Sequence, residues 1–595
     1  MRRLGLVIPV MCGLALGCKD EGGGEIASVG DSSSSAGDVT GDEPTTAGTS
    51  PSGPGGTEGS ASATASATDG TTDGTPGSTG PGDPTTGDPG PVVDWTFGNV
   101  FGRANLDDDD DNGQTDWLEL PFDGDDELAT LVLPGATLDA LPPGSQVRLT
   151  LSGPGDTVRA WLGGQPILGS NQGAPLLEHV FTPPGGDVAL QWEFGDHNAG
   201  ADLTITWLDD QGAEVESFAA VVRASPLITN HHLQPTERVW VVDVKGGGGY
   251  NNQSMIQAME AALGPGIVTR VPAGSYKGDV WIQDEFEWAT ARSGDGGRMD
   301  VVIDSIRNRG LDPLPEDTLV GPDYIAQTWG NPANKTTYDS FGNLDASPPV
   351  TVDGTSYPFG RIYYGRLGNE GLDSVLADYL AAQTIQKPFE LDTTWLCVGH
   401  VDEFSGIVPD PDAPKGFRLL FADVPSMYAI LDKLPQSTQL PRYGQDYGYP
   451  TVGSITSDNG LRAYNEDVQA DHLDGLRERF KQELGLDDAD IILVPTLFEN
   501  ISNCGSLTLV PGSVNFALFN VDGAPARMFV ADPFLRPGGV AQDADPLIID
   551  FKNRMPKTLE VHFVDNWNVY HVNFGEVHCG TNVQRTPLAN WWEEN

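Results

Sequence analysis

Two kinds of periodicity divide the chain. In Thr130–Leu133, Gln146–Leu151, Val188–Trp192 and Leu203–Trp207 apolar and polar residues alternate in short runs between Gly and Pro turns. A period of two puts every second side chain on one face, so this stretch predicts a β-sandwich over 93–223. Beyond Ala224, helical patterns at Asn252–Leu263, Asp373–Gln386 and Leu473–Leu484 interleave with apolar runs at Val239–Val242, Val301–Ile303, Phe417–Phe421, Ile491–Val494 and Leu559–Phe563. Strands alternating with helices predict an α/β domain over 224–595.

Before Trp95 neither period is present. Residues 19–92 are dominated by Gly, Ser, Thr, Pro and Asp, with no aromatic residue. Too little apolar surface is available there to offset the entropy of ordering, so the segment reads as a disordered tether. Ahead of it, residues 1–18 begin with Arg2 and Arg3, continue through an apolar run from Leu4 to Leu16 and end in Gly17-Cys18. That run is too short for a membrane span and reads as an export signal. The stretch Leu14-Ala-Leu-Gly-Cys18 resembles the bacterial lipobox, which implies lipidation of Cys18. The expectation is a secreted protein, lipid-anchored to a bacterial membrane at the outer-membrane, periplasmic or cell-surface face.

Charge narrows the partners. With 85 acidic against 33 basic residues the formal net charge is -52, which disfavours nucleic acid and favours cations. Five cysteines, unevenly spaced, do not make a disulfide scaffold. The loop from Asn105 to Asp116 sets side-chain oxygens at alternate positions around a glycine turn, including Asn105, Asp107, Asp109 and Asp116. Dense oxygen donors on a loop suit calcium, with a solvated acidic loop as the plain alternative, and no glutamate stands at the twelfth position as in an EF-hand.

The α/β part carries the chemistry. Trp281-Ile-Gln-Asp-Glu-Phe-Glu287 interleaves apolar side chains with carboxylates. Half-buried carboxylates need a metal, an arginine or a cationic ligand. His400 and Asp402, two apart in Val398-Gly-His-Val-Asp402, would face the same side of a strand. Cys579 in Gly575-Glu-Val-His-Cys579 is a candidate nucleophile, with a core thiol as the plain alternative. Its sequence neighbour His578 would point to the opposite face.

Taken together, these blocks resemble the protein-arginine deiminases: Trp281 to Glu287, Asp304-Ser-Ile-Arg-Asn-Arg-Gly310, Asp339-Ser-Phe-Gly-Asn-Leu-Asp-Ala-Ser-Pro-Pro349, Val398 to Phe404, Lys415-Gly-Phe-Arg-Leu-Leu420 and Gly575-Glu-Val-His-Cys-Gly-Thr-Asn582. The resemblance implies the α/β-propeller (pentein-type) of the guanidino-group-modifying superfamily, preceded by an immunoglobulin-like sandwich. It implies Cys579 as nucleophile, His400 as acid/base, Asp284 and Asp402 as the guanidinium clamp, Trp281 along the arginine stem and Arg309 on the substrate's peptide backbone. One calcium site would draw on Gln283, Glu287, Asp345 and the carbonyls of Phe341 and Leu344, and a second on Glu285, Asp304, Ser305 and Asn308. The implied activity is calcium-dependent hydrolysis of arginine residues in proteins or peptides to citrulline and ammonia. A deiminase of free arginine or another small guanidine, and a non-catalytic calcium-dependent binding lipoprotein, are the alternatives. Room for a single β-module, Asp345 in place of the usual glutamate and Asn573 where some members carry arginine are the departures.

Overall fold

The computed structural model describes residues 93–592 apart from 110–111, 120–127, 172, 295, 522 and 590–591. The expected export signal, Cys18 and the tether lie outside the described residues.

The alternating runs build two sheets. One has the order Val100–Gly102, Glu214–Ala224, Gly200–Leu208, Gln146–Ser152, Glu178–Phe181; the other has the order Ala129–Leu133, Val188–Phe194, Val158–Leu162, Gln165–Gly169. Along Gln146–Ser152 every second residue is buried. Leu149, Ile205 and Val222 of the first sheet meet Leu131, Trp192 and Phe194 of the second in one core. Each fully buried side chain of this kind contributes roughly 1.5–3 kcal/mol.

The α/β part repeats one pattern in five sheets. In each, a first strand pairs antiparallel with a second, and the second pairs parallel with a third. The trios are Thr581–Arg585, Thr236–Asp243 and Val268–Pro272; Phe286–Arg292, Arg298–Asp304 and Tyr324–Thr328; Leu344–Ala346, Ile362–Leu367 and Phe389–Leu391; Ser405–Pro409, Phe417–Asp423 and Ile491–Pro495; and Ala517–Phe519, Arg527–Ala531 and Glu560–Val564. Parallel pairs need a crossover, which explains the helices between second and third strands. They include Gln253–Leu263, Ser374–Ala382 and Pro546–Arg554. In Gln253–Leu263 the buried residues Met255, Ile256, Met259 and Leu263 form one stripe, and Gly264 ends the helix at φ +86°, the conformation glycine supplies at little steric cost.

Most of the strands and helices expected from periodicity are present within a few residues, and two expectations differ. The helix from Asp373 stops at Ala382, because Thr384 is left-handed (φ +65°) and the Gln383 and Gln386 side chains turn back to accept hydrogen bonds from the Leu227 and Thr229 N–H groups. His400 and Asp402 are not on a strand. After Gly399 (φ +89°) the chain enters a 3-10 turn, Val401–Glu403, and the Glu403 carboxylate accepts from the N–H groups of both Gly399 and His400. Cys397 and Cys504 form a disulfide, a pairing the sequence reading did not make, and Cys579 is free and buried.

Candidate active site

The segment just before the first strand of each sheet carries part of the site. Cys579 precedes Thr581–Arg585, Trp281 to Glu285 precede Phe286–Arg292, Phe341–Asn343 precede Leu344–Ala346, His400 to Asp402 precede Ser405–Pro409, and Asn515 precedes Ala517–Phe519. These segments touch. The Gln283 N–H donates to the Cys579 carbonyl (3.2 Å) and the Phe341 N–H to the Asp284 carbonyl (3.4 Å). Gly342 lies so close that a Cβ there would sit 2.6 Å from His400 Nδ1 and 3.0 Å from Asp402 Oδ2. Five repeats thus supply one cluster, which is why its members are so far apart in sequence.

At its centre Cys579 Sγ lies 3.6 Å from Asp402 Oδ2 and receives a hydrogen bond from Asn515 Nδ2 at 3.2 Å. Asn515 Oδ1 in turn accepts from the N–H groups of His578 and Cys579. His400 Nδ1 is 3.7 Å from Asp284 Oδ1, and its Nε2 is 2.9 Å from the Thr337 carbonyl. Burial, with Asp402 and Asp284 next, pushes the Cys579 thiol well above its usual range. Asp284 Oδ1 and Asp402 Oδ1 are buried without a hydrogen-bond partner. Such oxygens are costly to bury, and a planar cation held between them would satisfy both. A cleft lined by His400, Glu403, Tyr447, Glu499 and Phe574 reaches Cys579.

Trp281 and Arg309 stand at this cluster. The Trp281 ring packs on Gly575, where a Cβ would come within 2.4 Å, and meets Tyr570 edge-on at 5.7 Å. Arg309 is held by acidic groups: its guanidinium donates to Asp284 Oδ2 (3.4 Å) and the Trp281 carbonyl (3.2 Å) and lies 3.6 Å from Asp279 and 4.0 Å from Glu285. The guanidinium on Asp284 here belongs to the protein itself.

The two carboxylate sets implied in the α/β part flank Asp284. Glu285 is fully buried with neither carboxylate oxygen hydrogen-bonded, and Asp304 Oδ1 is likewise unpartnered. Burial raises Glu285 to about 8 and Asp304 to about 7. Ser305 and Asn308 follow on the same turn, with Ser305 Oγ donating to the Asp339 carbonyl and Asn308 left-handed at φ +50°. Hard oxygens left unsatisfied in the interior fit calcium. In the other set, Gln283 Nε2 donates to Glu287 (2.8 Å) and to the Phe341 carbonyl (3.2 Å), and Tyr363 donates to Asp345 (2.9 Å). Leu344, which follows on the same segment, is buried. Burial raises Glu287 to about 8 and Asp345 to about 6. His232, His578 and Arg585 line the same cavity, so this set fits a cation only with the Gln283 carboxamide turned to present its oxygen.

In the β-part, the carboxylates of Asp107, Asp109 and Asp116 converge within 4.8 Å of one another. Asn105 stands beside them, donating to Glu193 at 3.0 Å. Asp107 Oδ2 also accepts from the N–H of Asp323 (2.6 Å), so this loop is docked on the α/β part.

Sequence reasoning missed Asn515, an asparagine in an ordinary Gly-Ser-Val-Asn loop. It also missed His578 as a partner of Asp402, bonded at 2.8 Å. His578 and Cys579 thus both approach Asp402 Oδ2, and the expectation that they face opposite ways fails because residues 577–580 form a turn and not an extended strand.

Comparisons with known proteins place the chain in one family. The family model described as Protein-arginine deiminase (PAD) matches residues 215–593. Human protein-arginine deiminase type-4 is 34% identical over 410 residues, covering 66% of this chain and 59% of the relative. Human type-1 is 34% identical over 398 residues (64% and 58%), and rat type-4 is 32% identical over 415 residues (66% and 60%). The chain thus spans about three fifths of the length of these relatives. With the matched region taking in the whole of the five-sheet part and its buried cysteine, the chain belongs to the protein-arginine deiminase family.

Proposed function

We propose that the protein hydrolyses arginine residues in proteins or peptides to citrulline and ammonia, with Cys579 as nucleophile and calcium required. The observation that carries this reading is the meeting of Cys579, Asp402, Asp284 and His400 around two unpartnered carboxylate oxygens. The five-sheet repeat, joined by the pairing of Thr581–Arg585 with Thr236–Asp243, supports an α/β-propeller with this cluster at its axis, and the two-sheet part supports an immunoglobulin-like module.

Asp284 and Asp402 clamp the substrate guanidinium, whose positive charge lowers the cost of ionising the buried thiol. The thiolate then adds to the central guanidinium carbon. Protonated His400 gives its proton to one amino group, the carbon–nitrogen bond breaks and ammonia leaves. This produces a thiouronium on Cys579. Neutral His400 takes a proton from water as the oxygen adds to the same carbon. The carbon–sulfur bond breaks, the thiolate is restored, and loss of one proton gives citrulline. Asn515 steadies the sulfur throughout.

Calcium held by Glu285, Asp304, Ser305 and Asn308, with a second ion on Gln283, Glu287, Asp345 and the Phe341 and Leu344 carbonyls, would neutralise the buried carboxylates around Asp284. Arg309 would then be free to hold the peptide backbone of a substrate. The loop Asn105, Asp107, Asp109 and Asp116 is a further calcium site in this reading. The leader sequence supports export and lipid attachment through Cys18 to a bacterial membrane.

Citrulline assays on an arginine peptide test the proposal. Turnover is expected in millimolar calcium, with loss in excess chelator or in Cys579→Ala. Undiminished activity in chelator would sink the calcium role, and activity in Cys579→Ala would sink the thiol mechanism.

A further inference from the structure

Phe574 lines the cleft that reaches Cys579, yet 38% of its surface is exposed. Its backbone is left-handed, φ +80°, at the end of the 3-10 turn His571–Asn573. Glycine or asparagine is usual in that conformation, and a bulky aromatic there is an outlier. Strain of this kind persists only where the surroundings enforce it. Here the Phe574 N–H donates to the His571 carbonyl (3.1 Å), the Gly575 N–H donates to the Tyr570 carbonyl (3.2 Å), and Gly575 is pressed against Trp281. The ring is therefore carried on a fixed backbone with over a third of its surface open to solvent. A rigid aromatic left this open beside the cleft is available to a ligand.

Its surroundings indicate what that ligand is. Leu507 and Tyr447 line the same cleft, and Tyr447 is itself braced by His571 at 5.6 Å between ring centroids. Glu403 and Glu499 also line this cleft, and within it the Phe574 ring with Tyr447 and Leu507 offers the contact that suits another apolar group. It does not suit a guanidinium, which the carboxylates deeper in already serve. We infer that Phe574 and Tyr447 form a specificity subsite for an aromatic or large aliphatic residue next to the target arginine in a peptide substrate. This rests on the deiminase reading and extends it from the arginine to its sequence context.

The test compares kcat/KM in calcium for peptides that differ only in the residues flanking one arginine: Phe or Leu against Gly or Asp, on each side in turn. The unsubstituted protein should prefer the apolar flank by about tenfold, the scale of one well-packed apolar group. Phe574→Leu should keep most of that ratio. Phe574→Ala and Phe574→Asn should bring it near unity, and Phe574→Asn, which tolerates the left-handed backbone, should do so without a lower Tm. Using a ratio cancels losses common to all substrates. Citrulline formed without a flank preference, or a preference that survives in both Phe574→Ala and Phe574→Asn, would overturn the subsite alone. No citrulline from any peptide would overturn the deiminase reading and the subsite with it.

Discussion

Asn515 binds the Cys579 sulfur with its amide and both neighbouring backbone N–H groups with its carbonyl, so one side chain sets the direction in which the sulfur points. Removing one such donor from a water-excluded site commonly costs about a hundredfold in kcat. Asn515→Ala is therefore expected to lower kcat on an arginine peptide by roughly 10–100-fold with a smaller change in KM. Asn515→Asp should move the alkaline side of thiol ionisation upward, since it adds a third carboxylate to Asp402 and Asp284. Thiol alkylation rate against pH reads this directly, and an unmoved profile would remove Asn515 from the positioning of the sulfur. Nothing in the sequence marks this asparagine, because its role depends on two segments that meet only after folding. Cys579, His400, Asp284 and Asp402 were legible for a different reason. Each sits in a block of unusual composition, and the blocks together resemble one family, whereas Cys579 alone reads more readily as a core thiol than as a nucleophile.

At the level of elements, the Cys397–Cys504 disulfide ties the segment leading to His400 to the hairpin of Phe498–Ile501 and Gly505–Thr508. It closes a separation of 107 residues, and a link of that length stabilises by about 3–5 kcal/mol through the entropy of the unfolded chain. A Cys397→Ser, Cys504→Ser double variant is expected to melt at lower temperature while Cys579 remains the only thiol needed for turnover. Equal Tm values in the two proteins would show that the hairpin is held by its other contacts. Uneven cysteine spacing hid this pairing, as the two residues are remote in sequence and adjacent only through the bridge between Leu396 and Ser506. Strand and helix identities were easier to read, since burial follows period two or a helical stripe. The turn at His400 was not, because a left-handed glycine and a carboxylate accepting two N–H groups override the extended pattern around them.

For the whole molecule, acid should act through buried histidines. Burial lowers His197 to about 4 and His231 to about 3, below the 6.5 of an unfolded histidine. Below pH 6.5 the unfolded chain therefore takes up protons that the fold refuses. Their contribution is fully present above that pH and is lost as pH falls, by about 2 kcal/mol for each ring at pH 5. Buried carboxylates such as Glu193, raised by desolvation, act in the opposite direction. Comparing parent and His197→Leu isolates the histidine: the variant should lose fewer degrees of Tm between pH 7.5 and 5, and equal losses would refute the assignment. Hydrophobic patterning shows a change of texture near residue 224, but not the contacts across it. The acidic loop docks through Asp107 onto Asp323, and Arg103 forms an ion pair with the same residue.

The pairing of Thr581–Arg585 with Thr236–Asp243 has a consequence in time. The strand that completes the first sheet begins two residues after Cys579, so this thiol takes its place only when the most recently synthesised part of this region returns to the earliest. A growing polypeptide, or one cut short before Thr581, would carry its carboxylates and imidazole with no thiol in register. If the cluster acts as proposed, activity arrives only with the last strand of this region and not before it.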